Sequence, residues 1–139
     1  MNQFKGNITH IHSNDNLSIV TVSFPNEFVI KAIVIDTVKT APYLAINNTV
    51  SVVFKETEVA LCTNIKLKIS TQNKIESTIT DIEKGVLLSR ITLKTRIGNI
   101  VAIISTNSID HLELVENKSV WALVKLNDVI SVSYTHLTL

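Results

Sequence analysis

The sequence predicts an all-β chain made of two copies of one small module, and three observations support this. First, residues of the first half recur in the same order 71 or 70 positions later, as Asn2/Asn73, Ile8/Ile79, Thr21/Thr92, Ile30/Ile100, Leu44/Leu114 and Lys55/Lys125. Second, apolar residues form 45% of the 139 residues and aromatics only 5%, and the abundant Ile, Val and Leu suit strands. Third, several segments alternate polar and apolar residues with the period of a strand. Each copy spans roughly 65 residues, a size at which a core is marginal, so we expect the modules to pack against each other or against other subunits.

In the first copy, strands are predicted at residues 4–11, 17–24, 28–35, 49–54 and 59–62. The third of these is nearly all apolar, which is typical of a strand buried on both faces. After it, Asp36 or Thr37 can cap a short helix, which Pro42 limits to about one turn. Pro25 and Asn26 mark a hairpin tip, where the alignment of the two copies slips by one residue.

The second copy repeats this order, with strands predicted at 75–82, 87–95, 100–105, 119–125 and 129–131. A helix is predicted at 108–114, with Asn107 or Ser108 as its N-cap. Five strands with one short helix before the fourth predict an OB-like five-stranded barrel for each copy. The predicted domains are 1–63 and 64–131, and the alternation in 64–70 is compatible with a strand as well as with a linker.

Residues 132–139 have no counterpart in the first copy. They resemble the in-frame translation of a sequencing adaptor, so we interpret this tail as not native and leave it out of the search for sites.

Composition argues against several classes of partner. The net charge of +1 provides no field for nucleic acid or an anionic membrane. The single cysteine, Cys62, cannot form an intramolecular disulfide or a cysteine-rich metal site. No signal peptide is recognisable, and no apolar run approaches the roughly 20 residues that span a bilayer. We therefore expect a cytoplasmic protein with neither a nucleic-acid nor a membrane partner.

The sequence also offers little that would support catalysis or cation binding. His10 and His12 would share a strand face, but no third ligand has suitable spacing and the second copy has Asp81 and Glu83 at these positions. No Ser/His/Asp arrangement, phosphate-binding loop or HExxH motif is present. We therefore predict that the protein is not an enzyme and has no directly ligated metal cation.

The beginning and end of each copy carry a family resemblance. The first copy opens with Asn2-Gln3-Phe4-Lys5-Gly6 and the second with Ser70-Thr71-Gln72-Asn73-Lys74-Ile75. The copies close with Lys55-Glu56-Thr57-Glu58-Val59 and Lys125-Leu126-Asn127-Asp128-Val129. These segments resemble the Mop, or TOBE, domain, whose usual opening is Ser-Ala-Arg-Asn-Gln-Leu/Phe-x-Gly and whose usual close is Lys-Ala-Ser-Glu/Asp-Val. The resemblance covers residues 2–131, and a tandem pair of such domains resembles a di-domain molbindin.

The resemblance implies a function and an assembly. Di-domain molbindins are cytoplasmic trimers that bind molybdate, and often tungstate, at subunit interfaces for storage, homeostasis or delivery. Such a tetrahedral dianion is held by hydrogen-bond donors, namely backbone N–H groups, hydroxyls, amides and Lys or Arg.

Transferred position by position, the resemblance implies eleven oxyanion-binding residues: Ser70, Thr71, Gln72, Asn73, Ser105, Ser108, Lys125 and Asn127 in the second copy, and Asn2, Lys55 and Thr57 in the first. The first copy departs further from the family pattern, because Met1 stands at the Arg position and Ile35 replaces the third-strand hydroxyl. We therefore expect sites built from second-copy elements to bind more tightly.

Alternatives remain open at this point. Lys55 and Lys125 are equally compatible with solvated strand ends, and the serines with turn and cap residues. One alternative function is that of an OB-type nucleic-acid-binding protein, which would need a basic groove with exposed aromatics. A detached sensor or regulatory module is the other alternative, since Mop domains also end transcription regulators and transporter ATPases.

Overall fold

The computed structural model describes residues 1–64, 66 and 68–133. In this part of the chain there are ten strands, one α-helix and two short 3₁₀ turns, Glu56–Glu58 and Leu126–Asp128. The strands are β1 Asn2–Asn14, β2 Leu17–Phe24, β3 Phe28–Val34, β4 Thr49–Phe54, β5 Ala60–Cys62, β6 Asn73–Lys84, β7 Leu88–Thr95, β8 Gly98–Ser105, β9 Ser119–Val124 and β10 Ile130–Ser133. The helix, α1, spans Thr106–His111. The all-β prediction is confirmed.

The chain divides into two compact units, which exchange their fifth strands. Unit 1 holds Met1–Asn2 and Lys55–Lys125, and unit 2 holds Gln3–Phe54 and the chain from Leu126 onward. The five-stranded sheet of unit 1 has the order β5-β9-β6-β7-β8, and that of unit 2 has the order β10-β4-β1-β2-β3. The fifth strand of each repeat therefore completes the sheet of the other repeat.

The exchange is visible in the strand register. Ala60 of β5 lies opposite Leu123 of β9, and Ile130 of β10 lies opposite Val53 of β4. The domain boundaries predicted at 63/64 and 131/132 separate the two sequence repeats, not the two compact units. As domain boundaries they stay a prediction.

The ends of the repeats can be compared only in part with the sequence prediction. Val132 still pairs with Ser51, so β10 runs two residues into the segment interpreted as a tail. Residues 134–139 lie outside the described residues, as do Ile65 and Leu67 of the segment for which a strand or a linker was predicted.

The duplication extends to an irregularity of the backbone. The β1–β2 register shifts between Ile8 and His10, and the β6–β7 register shifts at the repeated position, between Ile79 and Asp81. A bulge increases the twist of a strand and bends it, so each long first strand can curve around its own core.

Repeated apolar positions form the core of each unit. The pairs whose two members are buried include Ile8/Ile79, Val20/Ile91, Ile30/Ile100, Ala32/Ala102, Leu44/Leu114 and Val50/Val120. Burial of each large aliphatic side chain stabilises the folded state by about 1.5–3 kcal/mol. These positions therefore determine which face of each strand points into the core, and the strand ends do not have to contribute to it.

The short helix predicted before the fourth strand is present only in the second repeat. There α1 follows Ser105, which has extended backbone angles at the N-cap position. In the first repeat the corresponding segment forms hydrogen-bonded turns, in which Thr40 N and Ala41 N donate to Thr37 O at 3.0 and 2.9 Å. The expectation of a helix there was wrong, because Pro42 follows at once and prevents continuation.

No helix in the described part of the chain has both the length and the apolar character needed to cross a membrane.

Candidate functional site

Two predicted site residues meet at the end of β8 in unit 1. The hydroxyl oxygens of Ser105 and Ser108 lie 2.7 Å apart, Ser105 as the last residue of β8 and Ser108 in the first turn of α1. Ser105 is exposed and Ser108 half-buried. Ser105 makes no capping bond to the helix backbone. When one hydroxyl donates to the other, the second keeps its own hydrogen for an outside acceptor.

The loop that carries this hydroxyl pair is held to the β6–β7 hairpin through Thr106. Its backbone N donates to Leu87 O at 2.8 Å and its hydroxyl donates to Gly85 O at 3.0 Å. The hydroxyl also lies 2.8 Å from that of Ser89, which is buried. Sequence reasoning missed Thr106, although the repetition of Ser89 as Ser18 could have indicated a shared structural hydroxyl. The hydroxyl pair is therefore positioned before any ligand arrives.

Asn2, from the first repeat, also belongs to unit 1, where its side chain bonds to the backbone. Its amide nitrogen donates to Val101 O at 2.9 Å, and its amide oxygen accepts from Val101 N at 2.8 Å. Asn2 is only 4% exposed. This arrangement ties the start of β1 to β8, four residues before Ser105.

The turn that carries Lys55 and Thr57 packs against β8 in the same unit. Both side chains are exposed. The Glu56 carboxylate between them contacts the N-terminal ammonium group of Met1. This hydrogen bond, helped by the charge of Arg90, lowers the pKa of Glu56.

A second group of predicted residues lies at the far end of unit 1. Asn73 is buried and pairs with Val124, so continuation of the register would place Gln72 opposite Lys125. Both of these side chains are exposed, and Lys125 makes no ion pair within the described part of the chain. The length of the 12-residue strand β6 separates this group from the hydroxyl pair.

The remaining predicted residues do not join either group through a described contact. Ser70 is exposed and Thr71 half-buried, just before β6. Asn127 is exposed and belongs to unit 2, where its 3₁₀ turn packs against β3. Among the described residues no group of three or more His, Cys, Asp or Glu could hold a metal ion.

Comparison with known proteins gives this geometry a family context. The TOBE domain matches residues 69–131. A crystal form of the cytoplasmic molybdate-binding protein ModG with molybdate bound aligns with 95% of this chain and 95% of its own, at 25% identity and a TM-score of 0.87. The chain belongs to the Mop/TOBE, molbindin-like family.

Two shorter structures are also similar to this Mop/TOBE chain. A molybdate-binding protein from Sporomusa ovata is 39% identical over 42% of this chain and 88% of its own, with a TM-score of 0.42. MopII from Clostridium pasteurianum is 28% identical over 48% of this chain and 100% of its own, with a TM-score of 0.45. No curated protein sequence matches the chain.

The two repeats of this Mop/TOBE chain differ at the hydroxyl pair. The positions of Ser105 and Ser108 correspond to Ile35 and Val38 in the first repeat. Ile35 is 74% exposed and Val38 is 53% exposed. Unit 2 thus presents apolar side chains where unit 1 presents hydroxyl groups.

Proposed function

We propose that the protein binds molybdate, or tungstate, in the cytoplasm, for storage, homeostasis or delivery of the oxyanion. Support comes from the full-length similarity to ModG and from the hydrogen-bonding groups at the strand ends. The observation that carries the proposal is the positioned hydroxyl pair of the exposed Ser105 and the half-buried Ser108, 2.7 Å apart. A binding role of this kind needs no catalytic group.

The chemistry of the ligand suits these groups. A tetrahedral dianion accepts hydrogen bonds on four oxygens, and the serine hydroxyls, the Gln72 amide and a lysine ammonium can all donate. Bonds to a charged acceptor are about twice as strong as neutral ones. The Lys125 ammonium adds a full charge with no carboxylate paired to it in the described residues.

We further propose that each site is completed between subunits of a homotrimer. In the single chain the hydroxyl pair, Lys55 and Lys125 are open to water, which screens charge and competes for the ligand. A neighbouring subunit would exclude that water. The proposed ligands are ten of the eleven residues implied by the family pattern: Ser70, Thr71, Gln72, Asn73, Ser105, Ser108, Lys125, Asn127, Lys55 and Thr57. Asn2 would act through its bonds to Val101.

Calorimetric titration of the protein with molybdate tests the proposal, with sulfate as the competing tetrahedral dianion. We expect micromolar or tighter binding of molybdate, more than one ion per chain, and no heat with sulfate. Folded protein that releases no heat with molybdate or tungstate would refute the proposal.

A matched pair of lysine variants tests the site. Lys125→Ala removes a hydrogen bond to a charged group, worth about 1.5–3 kcal/mol, so affinity should fall about tenfold to a hundredfold. Lys39→Ala removes a lysine that is also exposed but belongs to the turns after β3 in unit 2, and it should leave the affinity unchanged. Equal affinities for the two variants would exclude Lys125 from the site.

A further inference from the structure

Unit 1 contains a cleft that none of the proposed oxyanion ligands lines. Its volume is about 420 Å³, and its walls are Glu76, Ser77, Thr78, Lys94, Thr95 and Arg96. These residues come from the middle of β6 and from the β7–β8 hairpin. The cleft is shallow and open, because Glu76, Lys94 and Arg96 in its walls are exposed.

The first repeat shows why the cleft exists. In unit 2 the ring of Phe24 lies against Gly6, so closely that a Cβ atom on Gly6 would come within 2.8 Å of Phe24 Cε1. Phe24 is buried and packs edge-on against Phe28, with ring centroids 6.0 Å apart. The repeat counterparts of Phe24 and Phe28 are Thr95 and Gly98. Unit 1 therefore lacks the aromatic rings that fill this place in unit 2.

The second repeat has also gained positive charge around the opening. Lys94 and Arg96 stand where the first repeat has Ser23 and Pro25. Both are exposed, and neither forms an ion pair with another residue that the structure describes. Unit 1 thus has two exposed cations at the place where unit 2 has aromatic rings, and these cations can attract an anionic molecule.

The hydroxyl groups of the cleft differ in availability. Thr95 donates to Gly98 O at 2.6 Å and Ser77 donates to Ile75 O at 2.9 Å, so both hydrogens are used. The Thr78 hydroxyl has no hydrogen bond within the described residues and is free to donate to a ligand. Glu76, on the same wall, can only accept when ionised.

We propose that this cleft binds a small organic phosphate that also carries a hydroxyl group. The guanidinium of Arg96 matches two phosphate oxygens at once, and Lys94 supplies a second, compact charge. Thr78 donates to the phosphate, and the Glu76 carboxylate accepts a hydrogen bond from the ligand hydroxyl. A bare oxyanion has no hydrogen to donate to that carboxylate.

Glycerol 2-phosphate is a suitable probe, titrated into the full chain and followed by backbone amide shifts in NMR spectra. We expect saturable shifts at residues 76–78 and 94–96, and none with glycerol, which lacks the phosphate. Lys94→Ser, the residue of the first repeat, should weaken binding about tenfold. Lys39→Ser removes an exposed lysine of unit 2 and should not change the affinity.

A second variant tests the shape of the cleft without changing its charge. Thr95→Phe restores the ring of the first repeat and should abolish the shifts. Lys125→Ala should leave them unchanged, which separates this inference from the proposed molybdate site. The inference is overturned if glycerol 2-phosphate produces no saturable shifts in the native chain, or if its affinity is the same in the native chain, Lys94→Ser and Thr95→Phe.

Discussion

Replacing Asn2 distinguishes a structural anchor from an oxyanion ligand. The family pattern implies that Asn2 binds the oxyanion, whereas its amide forms bonds of 2.9 and 2.8 Å to the two backbone groups of Val101. Asn2→Ala removes both bonds at once. The exposed neighbour Gln3 provides the control, since Gln3→Ala shortens a side chain by a similar amount outside this contact.

The loss of stability expected for Asn2→Ala follows from these two hydrogen bonds and the burial of their partners. Each neutral hydrogen bond contributes about 0.5–1.5 kcal/mol net, which gives about 1–3 kcal/mol for the pair. Asn2 is 4% exposed, but Val101 is only half-buried. Water can therefore replace part of the hydrogen bonding that the Val101 backbone loses. We expect Asn2→Ala to lower the free energy of unfolding by about 2 kcal/mol, and Gln3→Ala to leave it nearly unchanged.

A polar variant sharpens the test. Asn2→Asp keeps an acceptor for Val101 N but replaces the donor to Val101 O with a carboxylate oxygen, which repels the carbonyl oxygen. We expect a larger loss of stability than for Asn2→Ala at neutral pH, because a buried carboxylate is also poorly solvated.

Urea unfolding measures these changes, and exchange of the Val101 amide hydrogen reports the bond itself. Faster exchange at Val101 in Asn2→Ala, together with lower stability, is the expected pattern. Unchanged stability and unchanged exchange, accompanied by weaker molybdate binding, would refute the anchor and favour a direct ligand role for Asn2.

Three further predictions concern other contacts. Ser105→Ala should weaken molybdate binding about tenfold in a calorimetric titration, whereas Ser13→Ala, which breaks an equally short hydroxyl pair of 2.7 Å in the first repeat, should not. Gly6→Ala should lower the free energy of unfolding in urea by about 1–3 kcal/mol, because its Cβ would lie 2.7 Å from a backbone oxygen of β2. Burial, and then the charge of Asp36, raises the pKa of Tyr43 above its ordinary value of 10.0. The folded state then holds this proton more tightly than the unfolded state, so stability should fall as pH rises past 10.0, and Tyr43→Phe should remove this part of the dependence in urea unfolding at several pH values.

Much of the fold could be predicted because both repeats obey the same apolar periodicity. The strand at 17–24 was predicted with the bounds that the structure has, and the next ends one residue earlier than predicted. The helix of the second repeat begins at Thr106 rather than at 108, since Ser105 and not a later residue takes the N-cap position.

The partner of each fifth strand could not be predicted. The pattern around Ala60–Cys62 and Ile130–Ser133 indicates strands, but the sequence of a strand does not show which sheet edge it will join. Only the three-dimensional arrangement shows that the two repeats exchange these strands.

The same limit applies to the site. The family pattern indicated eleven residues by position along the chain, yet strand exchange brings Lys55 and Thr57 of the first repeat into the unit that contains Ser105 and Ser108. The hydroxyl pair itself was accessible to sequence reasoning, because residues three apart at a helix start face each other.

The exchange of fifth strands also sets an order for assembly during synthesis. The strands β5 to β9 follow one another in the chain, so every strand of the sheet of unit 1 is synthesised before β10. The sheet of unit 2 waits for β10, in which Ile130 pairs with Val53, a residue synthesised long before. Until then β4 presents an open edge, and open edges invite pairing with other chains. The half of the chain that is synthesised first is therefore the last to complete its sheet, and that half is where we expect a chaperone to be needed.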